Sequence, residues 1–153
     1  MKMYVSMWTQ IAEKYKDYPN RLIFESANEE LGTRLNDNNL CTDSGTLSED
    51  ECYETANRIN QAFVDTVRST GGNNAQRFLL IAGFNTDIVK TCDERFVMPA
   101  DAAKDKLLLS VIKYTPWLYC GITSLSKLGS PRDYDEQNDM LSKMKNINVQ
   151  HKG

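Results

Sequence analysis

Short apolar runs alternate with amphipathic helical patterns along this chain, and that alternation restricts the fold more than any other feature. Leu22-Ile23-Phe24, Phe78-Leu79-Leu80-Ile81-Ala82-Gly83 and Leu107-Leu108-Leu109-Ser110-Val111-Ile112 read as strands. Around them, apolar residues recur at helical spacing. Val5, Trp8, Ala12 and Tyr15 mark a first helix, closed by Pro19-Asn20. Cys52, Ala56, Ile59, Phe63 and Val67 mark a second, opened by a Ser48/Glu51 capping box and broken by Gly71-Gly72. Thr86-Asp87 can cap a short helix near Ile88-Val89. Ser130-Pro131 opens a last helix with Tyr134, Gln137, Leu141 and Met144 along one face. Strands joined through helices pair in parallel with right-handed crossovers. The expected fold is therefore α/β: three parallel strands near residues 22–27, 78–83 and 107–112, adjacent in that order, with crossover helices on the convex side.

Three parallel strands make a poor unit by themselves. Crossover helices cover one face, and the other face and both edges stay open. An apolar face carrying residues such as Ile23, Leu80 and Leu109 is expected to be covered by self-association or by a complementary fragment, since exposed apolar patches rarely exceed a few hundred Å².

Composition narrows the function classes. The 153 residues carry 18 basic and 21 acidic side chains, with no basic stripe suited to nucleic acid. No run approaches the roughly 18 apolar residues of a membrane span, so neither nucleic acid nor membrane is an expected partner. Met1-Lys2-Met3-Tyr4-Val5-Ser6 is no apolar signal segment. Export would need a leader outside these residues. Cys41, Cys52, Cys92 and Cys120 form no CxxC pair and His151 is the one histidine, so neither a metal site nor a cofactor is expected. A Cys41–Cys52 bridge and free thiols both remain open.

Chemistry concentrates in Arg21-Leu22-Ile23-Phe24-Glu25-Ser26-Ala27-Asn28-Glu29-Glu30. Three acids and an asparagine gather at the C-terminal end of a parallel strand, where barrel enzymes keep their active sites. A carboxylic acid held there in a partly dry pocket can act as a general acid. On spacing alone a solvated loop start is the competing reading. Glu25, four residues before Glu29 and on the same strand parity, suits a structural, hydrogen-bonded acid, and Glu30 a local loop acid.

Several segments resemble glycoside hydrolase family 5. They are Trp8-Thr9-Gln10-Ile11-Ala12, Tyr18-Pro19-Asn20-Arg21-Leu22-Ile23-Phe24-Glu25, Asn28-Glu29, Thr70-Gly71-Gly72-Asn73-Asn74, Arg77-Phe78-Leu79 and Tyr114-Thr115-Pro116-Trp117, in the family's order. The resemblance implies a partial (β/α)8 TIM barrel running from about helix 3 to helix 6, with residues 1–153 as a single incomplete catalytic domain. It implies retaining endo-β-1,4-glucanase chemistry on cellulose, another β-glucan or a cello-oligosaccharide, and an extracellular setting. The acid/base role falls on Glu29, a contact to the sugar 2-hydroxyl on Asn28, and substrate contacts on Tyr114 and Trp117. Trp117 reads equally as a loop anchor over the barrel mouth.

Two departures from the family pattern stand out. Where the family usually has an active-site histidine, this chain has Ile112. The family's nucleophilic glutamate belongs on strand 7, which has no counterpart here, and Asp87 is the nearest substitute by topology. Residues 1–153 alone are thus expected to hydrolyse β-glucans poorly. A catalytically inert carbohydrate-binding or self-assembling barrel fragment is the alternative.

Overall fold

The computed structural model describes residues 1–36, 47–114, 116–121, 127 and 129–150, with the side chains of 118 and 146–150 left aside. Cys41, Thr115 and His151 lie outside the described residues.

Helix α1 (Lys2–Tyr15) leads into strand β1 (Phe24–Glu25). Helix α2 (Glu49–Ser69) follows, then β2 (Leu79–Asp87), the short α3 (Ile88–Thr91), β3 (Leu107–Ile112), the short α4 (Trp117–Cys120) and α5 (Pro131–Gln150). All three strands are parallel, in the order β1-β2-β3. The expected architecture, a partial barrel sheet with its crossover helices, is the observed one. The first strand is shorter than expected, with only Phe24 and Glu25 in the ladder, although the Ser26 N–H still reaches the Leu80 carbonyl.

Local chemistry explains the helix starts. Ser48 accepts from the Glu51 N–H while the Glu51 carboxylate accepts from the Ser48 N–H, and this reciprocal pair holds the Glu51 carboxyl below its ordinary range. Asp87 caps α3 through the Lys90 N–H at 2.9 Å. Ser130 and Asp133 exchange bonds at the start of α5.

The core lies between the sheet and the pair α1/α2. Trp8 and Ala12 of α1, Tyr53, Phe63 and Val67 of α2, and Phe24, Leu79 and Ile81 of the strands are buried there. Trp8 packs edge-on to Phe63 at 4.6 Å, and Tyr53 stacks on Phe84 at 3.6 Å. Register assigns the faces. Phe24, Leu79 and Leu107 lie in one row and Ile81 and Leu109 in another, both toward the helices. Glu25, Leu80 and Leu108 share the row on the opposite face. That corrects the expectation for Leu109, which packs against the core; Leu108, 41% exposed, takes the open face with Ile23 at 46% and the half-buried Leu80. Glu25 behaves as the structural acid anticipated: Ser110 Oγ donates to its carboxylate at 2.7 Å, across the intervening β2.

Cys52, Cys92 and Cys120 carry free thiols, and Asn36 Nδ2 lies 3.5 Å from Cys52 Sγ. This favours the free-thiol alternative at Cys52.

Ion pairs tie the β2–β3 connection to α2. Arg68 donates from Nε and Nη2 to both oxygens of Asp101, at 2.8 and 2.7 Å, with both side chains largely buried. Burial alone would raise the Asp101 carboxyl, but the Arg68 bonds and the Ala103 N–H outweigh it and hold it below its ordinary range. Asp93 is held at about 2 by hydrogen bonds from the Arg95 side chain and backbone N–H. Both folded-state values lie below the unfolded ones. Their stabilisation is therefore complete above the unfolded carboxylate range, near pH ~4, and is lost as pH falls towards ~2. Urea unfolding is expected to show stability declining across that window. Asp101→Asn should lower stability at neutral pH by about 1.5–3 kcal/mol and flatten the acid limb. An unaltered limb would remove Asp101 from this account.

Candidate active site

The segment carrying Asn28 and Glu29 leaves β1 through Ser26, whose polar groups are all engaged. Its N–H donates to the Leu80 carbonyl at 2.9 Å, and its carbonyl accepts from Tyr4 Oη at 2.7 Å. Its Oγ donates to Asn60 Oδ1 at 2.8 Å and accepts from the Ala82 N–H at 2.9 Å. Asn60 Nδ2 closes the ring on the Ala82 carbonyl at 2.9 Å. Asn60 is fully buried and Ser26 nearly so, so this ring welds the end of β1 to β2 and α2 inside the core. It fixes the direction in which the next three residues emerge.

At the C-terminal ends of the strands an open cleft of about 310 Å³ is lined by Glu29, Asp87, Ile112, Lys113, Tyr114 and Trp117, with Asn85, Thr86, Ile88, Val89 and Met140 completing it. Three of the four site residues expected from sequence, Glu29, Tyr114 and Trp117, thus share one cavity. Asn28 does not line it; its side chain is exposed and its N–H donates to the Glu30 carboxylate at 3.1 Å, consistent with Glu30 as a loop acid. Tyr114 and Trp117 meet edge-to-face at 6.4 Å and are 51% and 59% exposed, leaving aromatic surface free at the cleft rim. Ile112 lines the wall, giving an apolar side chain where the family pattern has an imidazole. Asp87 shares the cleft, but its carboxylate is occupied in capping α3.

The cleft wall also holds a feature that spacing did not reveal. The ladder between β2 and β3 is irregular between Ala82 and Asp87. There Asn85 and Thr86 take φ values of 54° and 50°. Left-handed backbone suits asparagine, but for the β-branched Thr86 it is a true outlier. The bulge turns the strand end so that Asp87 reaches both cleft and helix cap. Nothing in the apolar run of β2 signalled it beyond the asparagine itself.

Among the described residues no group of three or more His, Cys, Asp or Glu side chains converges as a metal site would, and no helix is long and apolar enough to cross a membrane.

Residues 1–151 match the family description Cellulase (glycosyl hydrolase family 5). The chain belongs to glycoside hydrolase family 5. Among curated family relatives, Endoglucanase A of Paenibacillus barcinonensis is 37% identical over 127 residues, covering 77% of this chain and 29% of that protein. A xyloglucan-specific endo-β-1,4-glucanase of Bacteroides ovatus is 37% identical over 112 residues, covering 73% of the chain and 20% of the relative. A broad-specificity endoglucanase from an uncultured bovine rumen ciliate superposes with a TM-score of 0.73 at 35% identity, over 93% of this chain and 41% of the other. A glycoside hydrolase 5 lichenase variant from Caldicellulosiruptor, solved with cellotetraose, gives 0.75 at 29% identity, over 92% and 40%. The chain therefore spans under a third of these curated relatives and about two fifths of these solved chains.

Proposed function

We propose that this chain supplies the acid/base side of a retaining glycoside hydrolase that cleaves β-1,4-glucans such as cellulose, mixed β-glucans or cello-oligosaccharides. The observation that carries the reading is Glu29 in a family 5 chain: the residue lines a cleft at the C-terminal strand ends, beside Tyr114 and Trp117. In its protonated form Glu29 gives its proton to the glycosidic oxygen as the bond to the anomeric carbon breaks. A second carboxylate attacks that carbon and forms a glycosyl ester. The Glu29 carboxylate then takes a proton from water, which displaces the ester and releases the sugar. Trp117 and Tyr114 offer faces on which a pyranose can stack, and Asn28 is the proposed partner of the sugar 2-hydroxyl.

Retention needs two carboxyl groups roughly 5–5.5 Å apart. With Asp87 held as a helix cap, the nucleophile is assigned to a carboxylate supplied from elsewhere, and residues 1–153 are read as a single incomplete catalytic domain. An extracellular setting suits a polymeric substrate. Reducing-sugar release from carboxymethyl cellulose tests the reading. A complete barrel that contains residues 1–153 should show turnover, and residues 1–153 alone far less. Robust hydrolysis by residues 1–153 alone would overturn the assignment of the nucleophile. Failure of that complete barrel on every β-glucan would overturn the substrate class.

A second reading rests on the open sheet face. Ile23 and Leu108 stand 46% and 41% exposed. For residues 1–153 as an isolated chain, self-association through that face, with sugar binding but no turnover, is the competing role. Sedimentation is expected to show concentration-dependent dimers or larger species that Leu108→Lys reduces. A monomer at all concentrations would discard it.

A further inference from the structure

We propose that Asn85 is a positioning residue for Glu29; this rests on the acid/base reading of Glu29 and adds the device that sets where its carboxyl sits. Glu29 lies on a loop, and the loop is pinned two residues later. The Asn85 N–H donates to the Leu31 carbonyl. The Thr33 N–H donates to Asn85 Oδ1 at 2.8 Å, and Asn85 Nδ2 donates to Thr33 Oγ1 at 3.0 Å. One side chain and one backbone N–H thus hold both ends of the Leu31-Gly32-Thr33 turn.

The turn is shaped to receive this side chain. Gly32 has φ +151°, and a Cβ there would collide with Asn85 Oδ1 and come within 2.7 Å of its Cγ and 2.9 Å of its backbone nitrogen. Leu31, buried in the core, anchors the turn from below. Asn85 can make these bonds because its backbone is left-handed, at the bulge that ends β2. The surroundings maintain that bulge at a conformational cost, concentrated at the buried Thr86. Asn85 also lines the cleft, so the pin and the acid border the same space. Displacing a catalytic group by even ~1 Å can slow a reaction about 10²-fold. A residue that fixes the Glu29 loop to the adjacent strand therefore acts on the rate without transferring a proton.

Asn85→Gly keeps the left-handed backbone accessible and deletes only the side-chain bonds. Asn85→Asp keeps an acceptor for the Thr33 N–H. In a complete barrel that contains residues 1–153, kcat/KM is compared for two cellobiosides: one with a dinitrophenolate leaving group that departs without a proton, and one with an alkyl alcohol that needs the acid. Asn85→Gly should lower kcat/KM for the alkyl substrate about 10–100-fold and leave the dinitrophenyl substrate within about 3-fold, with Asn85→Asp recovering most of the loss. Equal losses on both substrates, or no loss, would overturn the positioning role. Glu29→Gln is measured alongside. If it lacks the same leaving-group split, the acid reading fails and the proposal falls with it; if it shows the split and Asn85→Gly does not, only the proposal falls. Amide exchange supplies a readout independent of turnover. Thr33 should exchange at least about 10-fold faster in Asn85→Gly, as expected on losing a protecting hydrogen bond, with α2 unaltered. Unchanged Thr33 protection would also overturn the pin.

Discussion

On the proposed acid/base role, Glu29→Gln is expected to reduce β-1,4-glucan hydrolysis by a complete barrel that contains residues 1–153 about 10²–10⁴-fold, the range that general acid catalysis contributes. Glutamine matches glutamate in shape, so the cleft between Glu29, Tyr114 and Trp117 should keep its form. On that role, what disappears is the proton for the departing glycosidic oxygen and the base that later activates water. Substrate binding should survive, so the loss belongs in kcat far more than in KM. Initial rates on a soluble cello-oligosaccharide check this, with binding measured separately by calorimetry. A variant that retains most of its rate would remove Glu29 from the acid/base role and turn attention to Asp87, the other carboxylate residue on the cleft wall.

The second large effect is structural. Arg77 is fully buried at the opposite end of the sheet, and its guanidinium uses every donor it has. Nε donates to Asn74 Oδ1 at 2.6 Å. Nη1 donates to the carbonyls of Pro19 at 3.0 Å and Leu22 at 2.6 Å, and Nη2 to those of Tyr15 and Tyr18, each at 2.9 Å. The guanidinium also sits 4.8 Å from the centre of the Phe24 ring. This one side chain gathers the whole α1–β1 connection onto the start of β2. Burial and the nearby Arg68 both press its pKa downward, and the carbonyl cradle is what keeps the charge tolerable. Arg77→Met leaves those carbonyls without their donor in a dry site and is expected to destabilise by about 3–5 kcal/mol, since each buried acceptor left unsatisfied costs about 1–3 kcal/mol. That is a large share of the roughly 5–15 kcal/mol that holds a typical domain together. Arg77→Lys should rescue little, because an ammonium lacks the planar fork. Urea denaturation followed by circular dichroism gives the values. A Met variant within about 1 kcal/mol of the parent would show that the α1–β1 connection is held elsewhere.

The alternation of strand and helix patterns was enough to determine three parallel strands in chain order, because each capping signal is local. Ser48 with Glu51, Asp87 before Ile88 and Ser130 before Pro131 satisfy backbone N–H groups within three residues, and the structure uses all three. The sequence likewise determined that Glu29 follows a strand end, since strand direction fixes which end the segment leaves. Other features depended on residues brought together from distant parts of the chain. Leu107-Leu108-Leu109 is apolar on both faces, so its periodicity carries no phase. Only pairing of Leu109 with the buried Ile81 turned Leu108 to the open side. The Ser26–Asn60–Ala82 ring joins positions 34 and 22 residues apart, and a lone Asn in a helix pattern does not name its partner. The left-handed pair Asn85–Thr86 is stable because the Leu31-Gly32-Thr33 turn closes around it, and that contact spans 52 residues. Local rules decided which elements form and where they begin. Satisfaction of buried polar groups, which can be completed only after the elements pack, decided how the acid-bearing loop is held.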